Sequence, residues 1–181
     1  MKKSDYKEIN PKKANGWFLL TVIIVFALLC GIANAQSNFR INKTESFNFG
    51  IVIDPYASYK EKGLNIGAEI EYCGLVYTRA SLTYFGALNV KYIDAIGAFG
   101  INFTSGTFEN IRYYAGGRLG IINREGNVYP TMGCESGIDF KITDNITLGI
   151  RTTLDKRSDF EFYNESSEMR GSGFVKIGFK L

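Results

Sequence analysis

The stretch VYPTMGCESGIDFKI (128–142) alternates with a period of two. Val128, Pro130, Met132, Cys134, Ile138, Phe140 and Ile142 fall on one side, and Tyr129, Thr131, Gly133, Glu135, Gly137, Asp139 and Lys141 on the other. That period belongs to a β-strand with one apolar and one polar face. It recurs in FNFGIVI (47–53), LNIGAEIEY (64–72), LVYTRASLTYF (75–85), YIDAIGAFGINF (92–103), IRYYAGGRLGII (111–122), ITLGIRTTLD (146–155) and GFVKIGFKL (173–181). Eight strands are predicted, with no helical period beside them. An even number of antiparallel strands can close on itself and so remove its edges. The expected fold class is therefore all-β, an eight-stranded antiparallel up-and-down barrel.

Alternation alone leaves open which face is wet. In an exported soluble barrel of lipocalin type the apolar face turns inward and carries an apolar ligand; in a membrane barrel it turns outward to lipid. The glycines favour lipid outside. Gly50, Gly67, Gly100, Gly116, Gly120, Gly133, Gly137, Gly149 and Gly178 lie on the polar face, against Gly97, Gly117 and Gly173 on the apolar one. Glycine weakens a strand and gives a solvated exterior nothing, but inside a narrow barrel it makes room for long side chains. Strand length points the same way, since several segments reach the ~9–11 residues a membrane strand needs. Tyr72, Tyr84, Phe103, Phe140 and Phe179, near the ends of the apolar face, are placed to form interfacial girdles. The charges then lie within. The predicted lumen network comprises Glu69, Glu71, Arg79, Asp94, Arg112, Arg118, Glu135, Asp139, Arg151 and Lys176, with Tyr77, Tyr114 and Tyr129 among them. An eight-stranded barrel has an interior only just filled by side chains, so these groups should plug it.

The connections alternate as well. DPYASYKEKG (54–63) and KRSDFEFYNESSEM (156–169) are long and fall at one end of the barrel. Cys73-Gly74 and Thr143-Asp144-Asn145 are tight and fall at the other, although 104–110 is longer than this pattern prefers. Membrane barrels put long loops outside and short turns in the periplasm. Phe160, Phe162 and Tyr163 in the second long loop are candidates to anchor an extracellular partner, and Tyr56 and Tyr59 add aromatics to the first.

Residues 1–35 differ from the rest. A lysine-rich start precedes the uncharged run WFLLTVIIVFALLCGIA, and Ala33-Asn34-Ala35 offers a small-x-small cleavage site. The segment reads as a signal peptide; its rival is a retained anchor, since the run is near the ~17-residue lower limit for a span. Residues 36–44 then form a periplasmic N-terminal segment and 45–181 the barrel domain. The whole chain is formally +3, and residues 1–35 hold five lysines against Asp5 and Glu8, so the remainder is neutral (3 − 3 = 0). That leaves no basic footprint for nucleic acid.

Histidine is absent throughout. General-base chemistry near neutral pH would then need a carboxylate or lysine of displaced pKa. Glu69 and Glu71 share a face, but neutralising Arg79 and its neighbours is their simpler role. No enzyme activity, metal or cofactor is expected. Cys73 and Cys134 read as two small apolar residues rather than a disulfide.

The closing segment GFVKIGFKL carries a resemblance. With Val175, Ile177, Phe179 and Leu181 alternating to the end, residues 45–181 resemble the small eight-stranded outer-membrane barrels of OmpA/OmpX type. Members end in a strand whose final residue is usually aromatic and is read by the outer-membrane assembly machinery; here Leu181 stands last and Phe179 is the nearest aromatic. The resemblance implies an outer membrane of Gram-negative type, contact with its lipid, and a non-enzymatic role in envelope integrity, adhesion or resistance to host defences.

Overall fold

A computed structural model describes residues 39–41, 45–60, 62–86, 91–105, 110–162 and 169–181. The expected signal peptide (1–35) and Tyr163 lie outside the described residues. The chain forms β1 (Phe39–Ile41), β2 (Ser46–Ile53), α1 (Pro55–Lys60), β3 (Leu64–Cys73), β4 (Val76–Gly86), β5 (Lys91–Ser105), β6 (Ile111–Arg124), β7 (Asn127–Lys141), β8 (Ile146–Arg157), α2 (Asp159–Phe162) and β9 (Met169–Lys180).

Each of β2 to β9 pairs antiparallel with its neighbours in sequence, and β9 pairs with β2, so the sheet closes. The closure is staggered. Lateral partners run from Phe179 through Phe49, Ile70, Ala80, Gly97, Leu119, Met132 and Lys156, and return to β9 at Met169, a shift of ten residues (179 − 169). Such a shear tilts the strands by roughly 40° from the barrel axis. Every side chain on that path belongs to the outward set. The sheet presents Ile70, Leu82, Phe99, Leu119, Met132, Ile150 and Ile177 outward, all exposed, and turns Glu69, Glu71, Arg79, Glu135 and Arg151 inward, all buried. This is the inverse of a soluble core, and it fits a wall that lipid covers.

Turn chemistry fixes the register. The β6–β7 hairpin turns on Glu125 and Gly126, both at positive φ (54° and 83°), the pairing that a two-residue type I′ turn requires. At the β7–β8 turn the Thr143 hydroxyl accepts the amides of Asn145 (3.3 Å) and Ile146 (3.0 Å). Asp54 caps α1 by accepting the Ala57 amide at 2.8 Å, with Pro55 in the first helical turn, where its missing N–H costs nothing.

Three features depart from the sequence expectation. β1, within the segment expected to precede the barrel, adds a ninth strand to the sheet by pairing with Phe103–Ser105 of β5. It fills an edge left bare because β4 starts at Val76, opposite Ile101. The loop expected as irregular at 54–63 folds into α1, and the start of 156–169 extends β8 and then forms α2.

Candidate functional site: the charged lumen and its two mouths

The centre of the lumen is built around Arg79. Its guanidinium reaches Glu71 (3.0 Å), Glu69 (3.7 Å) and Glu135, and lies near the rings of Tyr77 (5.5 Å) and Tyr114 (5.4 Å). The Tyr77 hydroxyl donates to Glu135 at 2.8 Å. Arg151 closes on Glu69 at 2.6 Å, Arg112 bridges Glu71 (2.6 Å) and Asp139 (2.5 Å), and Lys176 joins Asp139 at 2.8 Å. Arg118 extends the lattice toward the loop end, to Asp155 at 3.0 Å and Glu135 at 3.8 Å. Buried charges persist only when paired in this way, because each loses its hydration.

Inward glycines supply the space. A Cβ on Gly100 would stand 2.8 Å from the Tyr77 ring, and one on Gly116 would stand 2.5 Å from its hydroxyl. A Cβ on Gly137 would collide with the Tyr114 ring, and one on Gly149 with the Asp139 carboxylate. On the outward face Gly173 has nothing within 4 Å.

The sequence-predicted charges divide as follows. Glu69, Glu71, Arg79, Arg112, Arg118, Glu135, Asp139, Arg151 and Lys176 all join the connected lattice. Asp94 is buried among them but closes no ion pair among the described residues; it faces its register partner Thr83. The prediction omitted Asp155, Arg157, Arg124 and Asp159. Asp155 and Arg157 continue the inward parity of Arg151; Asp155 already falls on the polar face of the predicted strand 146–155, whereas Arg157 is hidden by assigning 156–169 to a loop.

At the loop end, Arg157 grips Asp159 with Nε (3.0 Å) and Nη2 (2.7 Å), and Arg124 adds a third contact at 3.2 Å. Burial works to raise the Asp159 pKa, but hydrogen bonds and charge from Arg157 and Arg124 hold it below its ordinary value. Beneath, Phe85 stacks on Tyr92 (4.3 Å) and packs with Ile122 and with Ala57 from α1. The cavity under this stopper measures only about 10 Å³. Phe160, expected as an exposed anchor, is instead 5% exposed, with the Arg157 guanidinium 4.5 Å from its ring. The physical reason is the fold of α2, which turns this side chain inward over the ion pair. Phe162 lies in α2. Among the described residues, Tyr56 (65%) and Tyr59 (85%) on α1 are exposed aromatics of this end.

Among the described residues, the opposite end is open. A bowl of about 210 Å³ is floored by Arg112, Asp139 and Lys176 and rimmed by Lys141, Asp144 and Lys180. Cys73, expected as a small apolar residue, is buried here and hydrogen-bonded: its thiol donates to Glu71 (2.9 Å) and accepts from Asn48 (3.3 Å) and Arg112. Cys134 is free and exposed on the outward face. Around this mouth the outward aromatics gather, with Phe47 against Tyr72 (5.1 Å) and Phe103 stacked on Tyr113 (5.8 Å). Among the described residues no group of three or more acidic or cysteine side chains is placed to hold a metal.

No family model matches the sequence, and no curated protein does. Solved structures do. A chain from the de novo design of transmembrane β-barrels superposes with a TM-score of 0.53 at 10% identity, covering 78% of this chain and 100% of that one. Neisserial surface protein A gives 0.49 at 12% identity, over 76% and 96% of the two chains. The Yersinia pestis outer membrane protein Ail, in a phospholipid bilayer nanodisc, gives 0.47 at 10% identity, over 76% and 100%. With its closed eight-strand register, apolar exterior and charged interior, the chain has the fold of a small transmembrane β-barrel.

Proposed function

We propose that the protein is a non-enzymatic outer-membrane barrel with a structural or surface-binding role, its lumen closed by the ion-pair lattice. One observation carries the reading: a connected set of buried charges lies inside a wall whose outward face is exposed and apolar. The packed interior argues against conduction and against a carrier of apolar ligands, because the cavity beneath the loop-end stopper is only about 10 Å³. In this reading lipid covers the outward face, the assembly machinery engages β9, and the long loops meet an extracellular partner through Tyr56 and Tyr59 rather than through Phe160.

Fractionation tests it. The protein should pellet with outer membranes, require detergent for extraction, and migrate differently on gels before and after boiling. Recovery of the folded chain from buffer without detergent would overturn the membrane assignment, and steady ion current across a planar bilayer would overturn the closed lumen.

A further inference from the structure

The bowl at the tight-turn end shares its floor with the buried lattice, but its rim lysines stand outside it. Of its lining charges, Arg112, Lys141, Lys176 and Lys180 are basic, against Asp139 and Asp144. The floor is already organised: Arg112 and Lys176 are fixed by Asp139 and Glu71, so their charge is held in place at the base. The rim is different. Lys180 makes no ion pair among the described residues, and Lys141 is paired with Asp144 at 2.6 Å, in a contact where the Asp144 side chain is 93% exposed. Such a pair is worth little in water, so the Lys141 ammonium can turn from it at small cost. Asn48 and Thr147 add neutral donors to the wall. Arg112, Lys176, Lys141 and Lys180 face Glu71, Asp139 and Asp144, so the floor is balanced and the excess positive charge lies at the rim of a concave site, where low-dielectric walls concentrate the field on an entering anion.

We propose that this bowl binds a small phosphate-bearing anion, with Lys141 and Lys180 as the ligands that close on it and Arg112 and Lys176 as the fixed charge beneath. The phosphate group can come from a soluble anion or from a lipid headgroup at the bilayer surface. The site lies on the barrel axis, within the ring of inward-facing residues, and the proposal does not depend on which compartment that mouth faces. Binding of the soluble anion therefore stands or falls separately from the outer-membrane reading, whereas the headgroup source rests on it.

The test uses the full protein in detergent micelles and inorganic phosphate as the probe, followed by phosphorus-31 linewidth and by calorimetry at constant ionic strength set with chloride. Saturable binding is expected, weakened at least tenfold in K141Q/K180Q, whose folded barrel should keep the heat-shifted gel mobility of the parent because neither lysine joins the buried lattice. A second arm places parent and double variant in nanodiscs of neutral lipid with and without phosphatidylglycerol. Loss of the phosphate signal only when the anionic lipid is present identifies the headgroup as the occupant, whereas an unchanged signal identifies the soluble anion. Phosphate that binds no better than chloride, or binds equally to K141Q/K180Q, overturns the proposal.

Discussion

Arg79 touches three carboxylates and lies beside two tyrosine rings, so its removal leaves more than a gap. Arg79→Ala strands Glu71 and Glu135 without their shared cation, and should cost roughly 3–5 kcal/mol, the scale for breaking a buried pair. Arg118→Ala loses one close partner, Asp155, and a distant one, Glu135, so its cost should be smaller, about 1–3 kcal/mol. Urea titration, following the fraction that keeps folded gel mobility, measures both; parental midpoints in both variants would contradict the lattice as a source of stability. The glycines give a sharper contrast. A Cβ on Gly100 would press on the Gly116 backbone at 2.5 Å as well as on Tyr77, so Gly100→Ala should lose about 1–3 kcal/mol to overpacking. Gly173→Ala meets open space and should stay within about 0.5 kcal/mol of the parent. At this scale strand parity was informative, because it places a charge on one face or the other. It carried no information on partners: nothing in the sequence indicates that Asp94 would close no ion pair among the described residues while Cys73 bonds Glu71.

Regular strands announce themselves by their period, and short elements do not. β1 has three residues, α1 six and α2 four, too few for a period to show. Their positions follow from contacts made only once the barrel exists: a bare edge on β5, a bed of Phe85 and Tyr92, and the Arg157–Asp159 grip. That grip makes α2 sensitive to acid. Asp159 has a folded pKa below the ordinary aspartate value of 3.8, so its stabilisation is complete above that value and is lost as pH falls through the lower, folded one. Protection of the amides of 157–162, measured against intrinsic exchange at each pH, should therefore fall at the acid end, while that of β3 and β4 holds. In Asp159→Asn that protection should be low at every pH and show no such dependence.

The molecule as a whole is an inside-out arrangement, and a single charge tests it. Val175 sits mid-strand on β9, between Ile150 and Ile53, facing outward. In a lipid-covered wall Val175→Arg should cost about 2–4 kcal/mol near the bilayer midplane. On a water-covered wall the same exposed change would stay within about 0.5 kcal/mol. Unfolding in lipid vesicles separates the two. The overall architecture was legible because eight alternating segments and their connections bear directly on closure, and the inward glycines on which face is wet. The stagger was not legible, since a one-strand pattern contains no lateral offset.

The seam between β2 and β9 sets a condition on assembly. The first barrel strand waits for the last, so a nascent chain lacking its final dozen residues has two raw edges and no ring. Until that last ribbon arrives, the arginines and glutamates have no enclosure and must remain hydrated while the greasy wall goes uncovered. The ring can therefore close only once β9 has been made, and a chain cut short before Met169 should be cleared by proteases rather than accumulate as a smaller barrel.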